Sequence, residues 1–195
     1  MGERYVAPIL RRFAIQFPRL SITIELTNRV VDLTAEDFDL AIRTGSISDP
    51  RLVAVSVGSR NVRTCAAPDY LSSQGRPLVV EDLVAHECIV GTAPTWHFTV
   101  GEQEHLHRPA GRFRCNSGHA VIEACIAGIG ICQLPDFYIL PFLEKGMVEL
   151  VLDDVRPADE PIWAVYPRRR HQLPKVQRAV EALQHELSAA LGLTG

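Results

Sequence analysis

Apolar positions along the chain switch repeatedly between two spacings, and each switch marks a new element. Val6, Ile9, Leu10, Phe13 and Phe17 recur at three- and four-residue intervals, the period of a helix that buries one stripe. Residues 3–17 therefore read as an amphipathic helix with Pro8 near its first turn and Pro18 at its end. Leu20, Ile22, Ile24 and Leu26 alternate with polar residues, which predicts a strand over 20–26. A short amphipathic helix is expected from Asn28 onward, running into an apolar strand over 39–43 that closes at Thr44 and Gly45. Alternation returns over 52–57 after a turn at Ser48, Asp49 and Pro50. A short strand over 62–67 follows, and Pro68 with Asp69 opens a helix, because proline is tolerated where its missing N–H is not needed.

The second half repeats the alternation of helix and strand. Helix is expected over 80–85, strand over 88–91, a polar hairpin region over 96–114, helix over 118–127 and strand over 129–134. Helix over 135–145 and strand over 148–152 come next. Residues 153–161 are polar and hold two prolines, so they read as a connection. A strand over 162–167 precedes a long helix over 173–191, with Val176, Val180, Leu183, Leu187 and Leu191 on one stripe. Helices alternating with short apolar strands predict an α/β fold whose sheets are mostly parallel and covered on both faces.

Composition narrows the functional classes. The 195 residues carry a formal charge of −3, with 47% hydrophobic and 22% charged residues, ordinary values for a globular protein. Nothing in that balance makes a nucleic-acid surface; the one basic run, Arg168, Arg169, Arg170 and His171, reads as a solvated loop before the last helix. Cys65, Cys88, Cys115, Cys125 and Cys132 show no C-x-x-C spacing and sit in apolar stretches, so buried reduced thiols are expected. No signal-peptide layout opens the chain. No apolar run approaches the about 18 residues of a membrane span, and a cytoplasmic location with no membrane contact is expected.

The candidate chemistry lies where elements end. Ligands of doubly wound sheets sit beyond the carboxyl ends of strands, which places Arg43, Thr44 and Gly45 where a small molecule would lie. Asn116, Ser117 and Gly118 open one helix, Leu134, Pro135 and Asp136 a second, and Thr27 with Asn28 a third. Such termini present N–H groups without intrahelical acceptors and favour an anion. The same residues can simply cap their own helices. Arg43 suits a carboxylate, and equally Asp39, Asp37 or Glu36 nearby. Trp96 either covers a cleft or plugs the hydrophobic interior. Catalytic patterns are weak: Ser117 is outside a G-x-S-x-G elbow, and Gly128 and Gly130 lack the third glycine of a dinucleotide fingerprint. His105 and His107, two residues apart near Glu104 and His97, read as a solvated hairpin rather than a metal site. No enzyme, cofactor or metal is expected.

The run from Val31 to Gly45 reads V-D-L-x-x-x-x-F-D-L-A-I-R-x-G. Tyr5, Ala7, Pro8, Leu10 and Phe13 precede it. Cys65, Ala66, Ala67, Pro68, Asp69, Tyr70 and Leu71 follow, then Gly130 through Phe137, then Val165, Tyr166 and Pro167. In this order these segments resemble the effector-binding domain of LysR-type transcriptional regulators, over nearly the whole chain. The resemblance implies a two-lobed, type 2 periplasmic-binding-protein-like α/β fold with two crossover strands. The first lobe would comprise 1–64 and 163–195, the second 65–162. A small anionic or polar effector would lie in the cleft between lobes, held by Thr27, Asn28, Arg43, Thr44, Gly45, Trp96, Asn116, Ser117, Gly118, Leu134, Pro135 and Asp136. A homodimer or higher oligomer is implied, pairing a surface that includes edges of Ile9, Phe13 and Phe17 and part of the helix from Gly118. DNA would be reached only through a helix-turn-helix domain that this chain does not contain. Similar domains also begin with a strand ahead of the helix at Glu3; without it, the strands over 20–26 and 39–43 are expected to leave a gap or pair directly. A solute-binding protein of a transporter, stripped of its signal segment, is the alternative on the same fold.

Overall fold

A computed structural model describes residues 1–191; residues 192–195 of the first-lobe assignment lie outside the described residues. In chain order the elements are α1 (Ala7–Gln16), β1 (Ala41–Thr44), β2 (Leu52–Arg60), β3 (Val62–Ala66) and α2 (Pro68–Gln74). Then come β4 (Trp96–Val100), β5 (Gln103–His107), α3 (Gly118–Ile126), β6 (Cys132–Pro135), α4 (Asp136–Leu143), β7 (Glu149–Leu150), β8 (Glu160–Pro167) and α5 (Pro174–Ala190). The chain divides into two compact units, Met1–Arg60 with Glu160–Gly195, and Asn61–Asp159.

The first unit is a three-stranded antiparallel sheet in the order β1-β8-β2. Side chains alternate across a strand, and β8 uses both faces. Ile162, Ala164 and Tyr166 pack with Val6 and Ile9 and with Val176, Val180, Leu183 and Leu187 of α5. Val165 joins Val31, Leu33 and Leu52 in a smaller cluster. A bulge between Ser56 and Gly58 shifts the β2–β8 register. Arg12 of α1 pairs with Glu186 of α5. Ile9 is 1% and Phe13 5% exposed, so neither offers an edge to a pairing surface; Ile15 and Phe17 are the exposed apolar residues there.

The second unit holds an antiparallel sheet in the order β6-β3-β7 and the β4–β5 hairpin. Here too one strand divides its side chains: Cys65 packs with Ile89, Ile122, Cys125, Cys132 and Ile139, while Ala66 faces Tyr70, Leu83, Trp96 and Phe98.

Several expectations are corrected. Every ladder between the named strands is antiparallel, and among the described residues parallel pairing survives only as the single bridges Cys88–Ile131 and Val90–Arg114. The predicted strand over 88–91 is reduced to those bridges. Residues 20–26 form no strand and pair with nothing in a ladder among the described residues. Ile24 and Leu26 are exposed, because alternation holds a strand only where a neighbour offers hydrogen bonds and an apolar face. The helix expected from Asn28 is a single turn over 33–37. The Asp32 carboxylate accepts N–H groups from Thr34 and Ala35 at 2.9 and 3.1 Å, a local arrangement that competes with helix, and Asp37 turns left-handed at φ 58°. The segment 80–85 is a 3-10 helix, and the strand over 148–152 shrinks to Glu149–Leu150.

Candidate functional site

In the second unit, two helix N-termini lie side by side. Gly118 opens α3 against the Tyr138 ring of α4; a Cβ at 118 would come within 2.5 Å of that ring, so only glycine permits the approach. His119 and Tyr138 meet edge to face at 5.4 Å between ring centroids. The first turns of α3 and α4 are thus in contact through Gly118, His119 and Tyr138. Ser117 is the N-cap residue of α3, yet its side chain makes no capping hydrogen bond. The backbone N–H of Ser117 instead donates to the Cys115 sulfur at 3.5 Å. The Ser117 side chain thus satisfies none of the first-turn N–H donors of α3. Pro135 is the N-cap of α4, whose first N–H, on Asp136, donates to the Asn61 carbonyl at 3.0 Å. Leu134 is buried in the core beneath.

In the first unit, the carboxyl end of β1 carries the other candidates. The Arg43 guanidinium donates to the Val31 carbonyl at 2.5 Å. None of its three sequence neighbours takes it: Glu36 pairs with Arg29 at 2.6 Å, while Asp37 and Asp39 pair with Arg170, and Asp39 also with Lys175 at 2.7 Å. Thr44 Oγ1 accepts from Arg60 at 3.2 Å, and Arg60 also holds Glu160 at 2.6 Å. Gly45, at φ 79°, adopts the left-handed turn glycine tolerates, and its carbonyl accepts from Trp163 Nε1 at 2.7 Å. Thr27 Oγ1 accepts the Arg29 N–H at 3.1 Å within an exposed turn, so Thr27 and Asn28 open no helix.

Trp96 is 1% exposed and sits in the core of the second unit with Phe98 and Leu83, where it acts as a plug. The hairpin histidines divide: His97 pairs with Glu104 at 2.7 Å in solvent, while His107 lies against the Trp96 ring at 5.9 Å with Nε2 buried and unpartnered. A groove of about 670 Å³ in this unit is lined by Tyr70, His86, Glu87, Arg112, Gly128 and Ile129 among others, and by none of the candidate residues. Its polar groups already serve one another: Tyr70 OH bonds His86 Nδ1 at 3.2 Å and accepts the Glu87 N–H at 3.0 Å, and Glu87 accepts the Arg112 N–H at 3.1 Å.

One grouping escaped the sequence reading. Cys65, Cys125 and Cys132, all buried, bring their sulfurs within 4.8 Å of one another. The signal lay in topology rather than spacing, since β3 and β6 place Cys65 opposite Cys132.

An HTH-type transcriptional regulator of Haemophilus influenzae is 32% identical over 179 residues, which cover 90% of this chain and 62% of that protein. The full-length structure of the Vibrio cholerae virulence activator AphB, a member of the LTTR protein family, matches at TM-score 0.80 with 27% identity. That match covers 94% of this chain and 64% of that one. The regulatory domain of AphB from Vibrio vulnificus matches at TM-score 0.76 with 26% identity, over 93% of this chain and 92% of that one. The chain therefore spans a little over three fifths of such full-length regulators and most of a regulatory domain. Among the described residues no helix is long and apolar enough to cross a membrane. The family model for the LysR substrate binding domain matches residues 1–188, and with the two-unit α/β architecture above it the chain belongs to that family.

Proposed function

We propose that this chain is the effector-binding part of a LysR-type transcriptional regulator, and that the effector is a small molecule carrying a carboxylate or similar anion. The observation that carries the reading is the N-terminus of α3, which Ser117 leaves without a side-chain cap. An acidic group held there meets aligned N–H donors and the positive end of the helix dipole. Asn116, Gly118, Pro135 and Asp136 would surround it in the second unit. Thr27, Asn28, Arg43, Thr44 and Gly45 would contribute from the first, with Arg43 as a cation whose guanidinium hydrogen-bonds the Val31 carbonyl and whose charge also reaches Asp49. Binding shifts the population of unit arrangements, and paired subunits of the longer regulator would then present their DNA-binding domains differently. The role is regulatory rather than enzymatic, and its setting is the cytoplasm, where the DNA is.

Thermal denaturation against a panel of small mono- and dicarboxylates and their neutral amides tests it. At least one acid should raise the melting temperature where its amide does not, and Arg43→Gln should weaken that shift. Equal shifts from acid and amide, or none from any acid, contradict the proposal.

A further inference from the structure

The buried thiol cluster of the second unit has no part in that effector reading. Its three members come from three elements: Cys65 from β3, Cys132 directly opposite it on β6, and Cys125 from the last turn of α3. The Cys65 and Cys132 sulfurs are 3.6 Å apart, and all three side chains are fully buried. Around them lie Ile89, Ile122, Leu134, Ile139 and Val148, with no carboxylate or imidazole joining the group among the described residues. Packing alone asks only for small apolar side chains, which any mixture of Ala, Val and Cys would supply at these positions. Cys88, equally buried, stands apart from the cluster.

We propose that Cys65, Cys125 and Cys132 form a three-coordinate thiolate site for a soft monovalent metal ion, Cu(I). Size is the first support. With metal–sulfur bonds of about 2.3 Å, three sulfurs around one ion stand about 4 Å apart, inside the 4.8 Å span that already encloses them. Ligand type is the second. An all-sulfur, dry site selects soft ions over Mg²⁺, Ca²⁺ or Mn²⁺, which want oxygen. The absence of a fourth donor disfavours Zn²⁺, which closes structural sites with four ligands. Each sulfur that binds as a thiolate releases its proton to bulk solvent. Loaded, the site ties β3, β6 and α3 at one point.

The reduced, metal-free chain is titrated anaerobically with Cu(I) in competition with a chromophoric Cu(I) chelator, and the loaded protein is measured by X-ray absorption at the copper edge. The expected result is one Cu(I) retained per chain with a shell of three sulfurs at about 2.3 Å. Cys125→Ala and Cys65→Ser should bind at least about 10–100-fold more weakly, the loss that even outer-shell changes cause. Cys88→Ser, which also buries a hydroxyl, and Cys115→Ser should bind as the parent does. Surrender of all copper to the chelator overturns the site. So does a shell with nitrogen, oxygen or only two sulfurs, or unchanged affinity in folded cluster variants. A Cys65–Cys132 disulfide formed in place of retained copper would likewise overturn it, and would mark the cluster as a thiol–disulfide pair.

Discussion

Arg170 does something no reading of the basic run foresaw. The run was expected to be a solvated loop, but the Arg170 side chain is only 16% exposed and grips both Asp37 and Asp39. Its neighbours act likewise: Arg168 donates to the Pro50 carbonyl at 2.8 Å, and His171 bonds Tyr166 OH at 3.0 Å. With Arg169 donating to the Thr34 carbonyl at 3.4 Å, three consecutive arginines thus clasp the turn-rich segment before β2 to the end of β8, where His171 holds Tyr166. Spacing hid this because the acidic partners lie more than 130 positions earlier. Arg170→Ala should lower the denaturant midpoint by the equivalent of about 1–2 kcal/mol, since Asp39 retains Lys175 and Asp37 is exposed; a change below about 0.3 kcal/mol would show the clasp to be ornamental. Thiol chemistry offers a second test at this scale. Burial pushes Cys88 up to about 11 and encloses Cys65, Cys125 and Cys132, leaving Cys115 half-buried. A thiol reagent at neutral pH should therefore modify Cys115 quickly in the native protein and the other four only on unfolding.

His107 adds a pH dependence whose sign follows from its surroundings. Burial against Trp96 lowers its pKa below the usual 6.5, so the folded state binds fewer protons than the unfolded chain. Stability from this group is complete above the unfolded pKa and is lost as pH falls through the folded one. His107→Gln should flatten the decline in melting temperature from pH 7 toward pH 5; an unchanged slope would contradict the assignment.

Among elements, long periodic segments were legible and short ones were not. The stripe of Val176, Val180, Leu183 and Leu187 is a helix with those side chains in the core, and Val6, Ile9 and Phe13 behave the same way. A helix supplies its own hydrogen bonds, so its pattern suffices. A strand does not, and 20–26 kept its alternation without a ladder. Ladder direction was equally invisible, since β8 pairs with β1 and β2 across 100 or more positions. Leu183→Ala should cost about 2–5 kcal/mol, the range for a large-to-small change in a core. Ile24→Thr, in the exposed segment, should stay within about 0.5 kcal/mol. Equal losses would place 20–26 in a packed environment after all.

For the molecule as a whole, the family was readable because its signature residues sit at element ends, where sequence and geometry coincide. Gly45 turns left-handed, and Pro135 stands at the N-cap position of α4. The state of the α3 cap was not readable: Ser117 is the residue type that caps, yet it does not. That terminus, which Ser117 leaves without a side-chain cap, is the centre of the functional account, and Ser117→Asp separates its two roles. A carboxylate at the N-cap satisfies the α3 donors and should hold or raise stability by about 0.5–2 kcal/mol, while occupying the place of an anionic effector with like charge. Calorimetric titration of the parent and Ser117→Asp proteins with the most stabilising carboxylate is the most direct measurement. The account predicts binding by the parent and none by the variant at unchanged or higher melting temperature; equal affinity in both would contradict it.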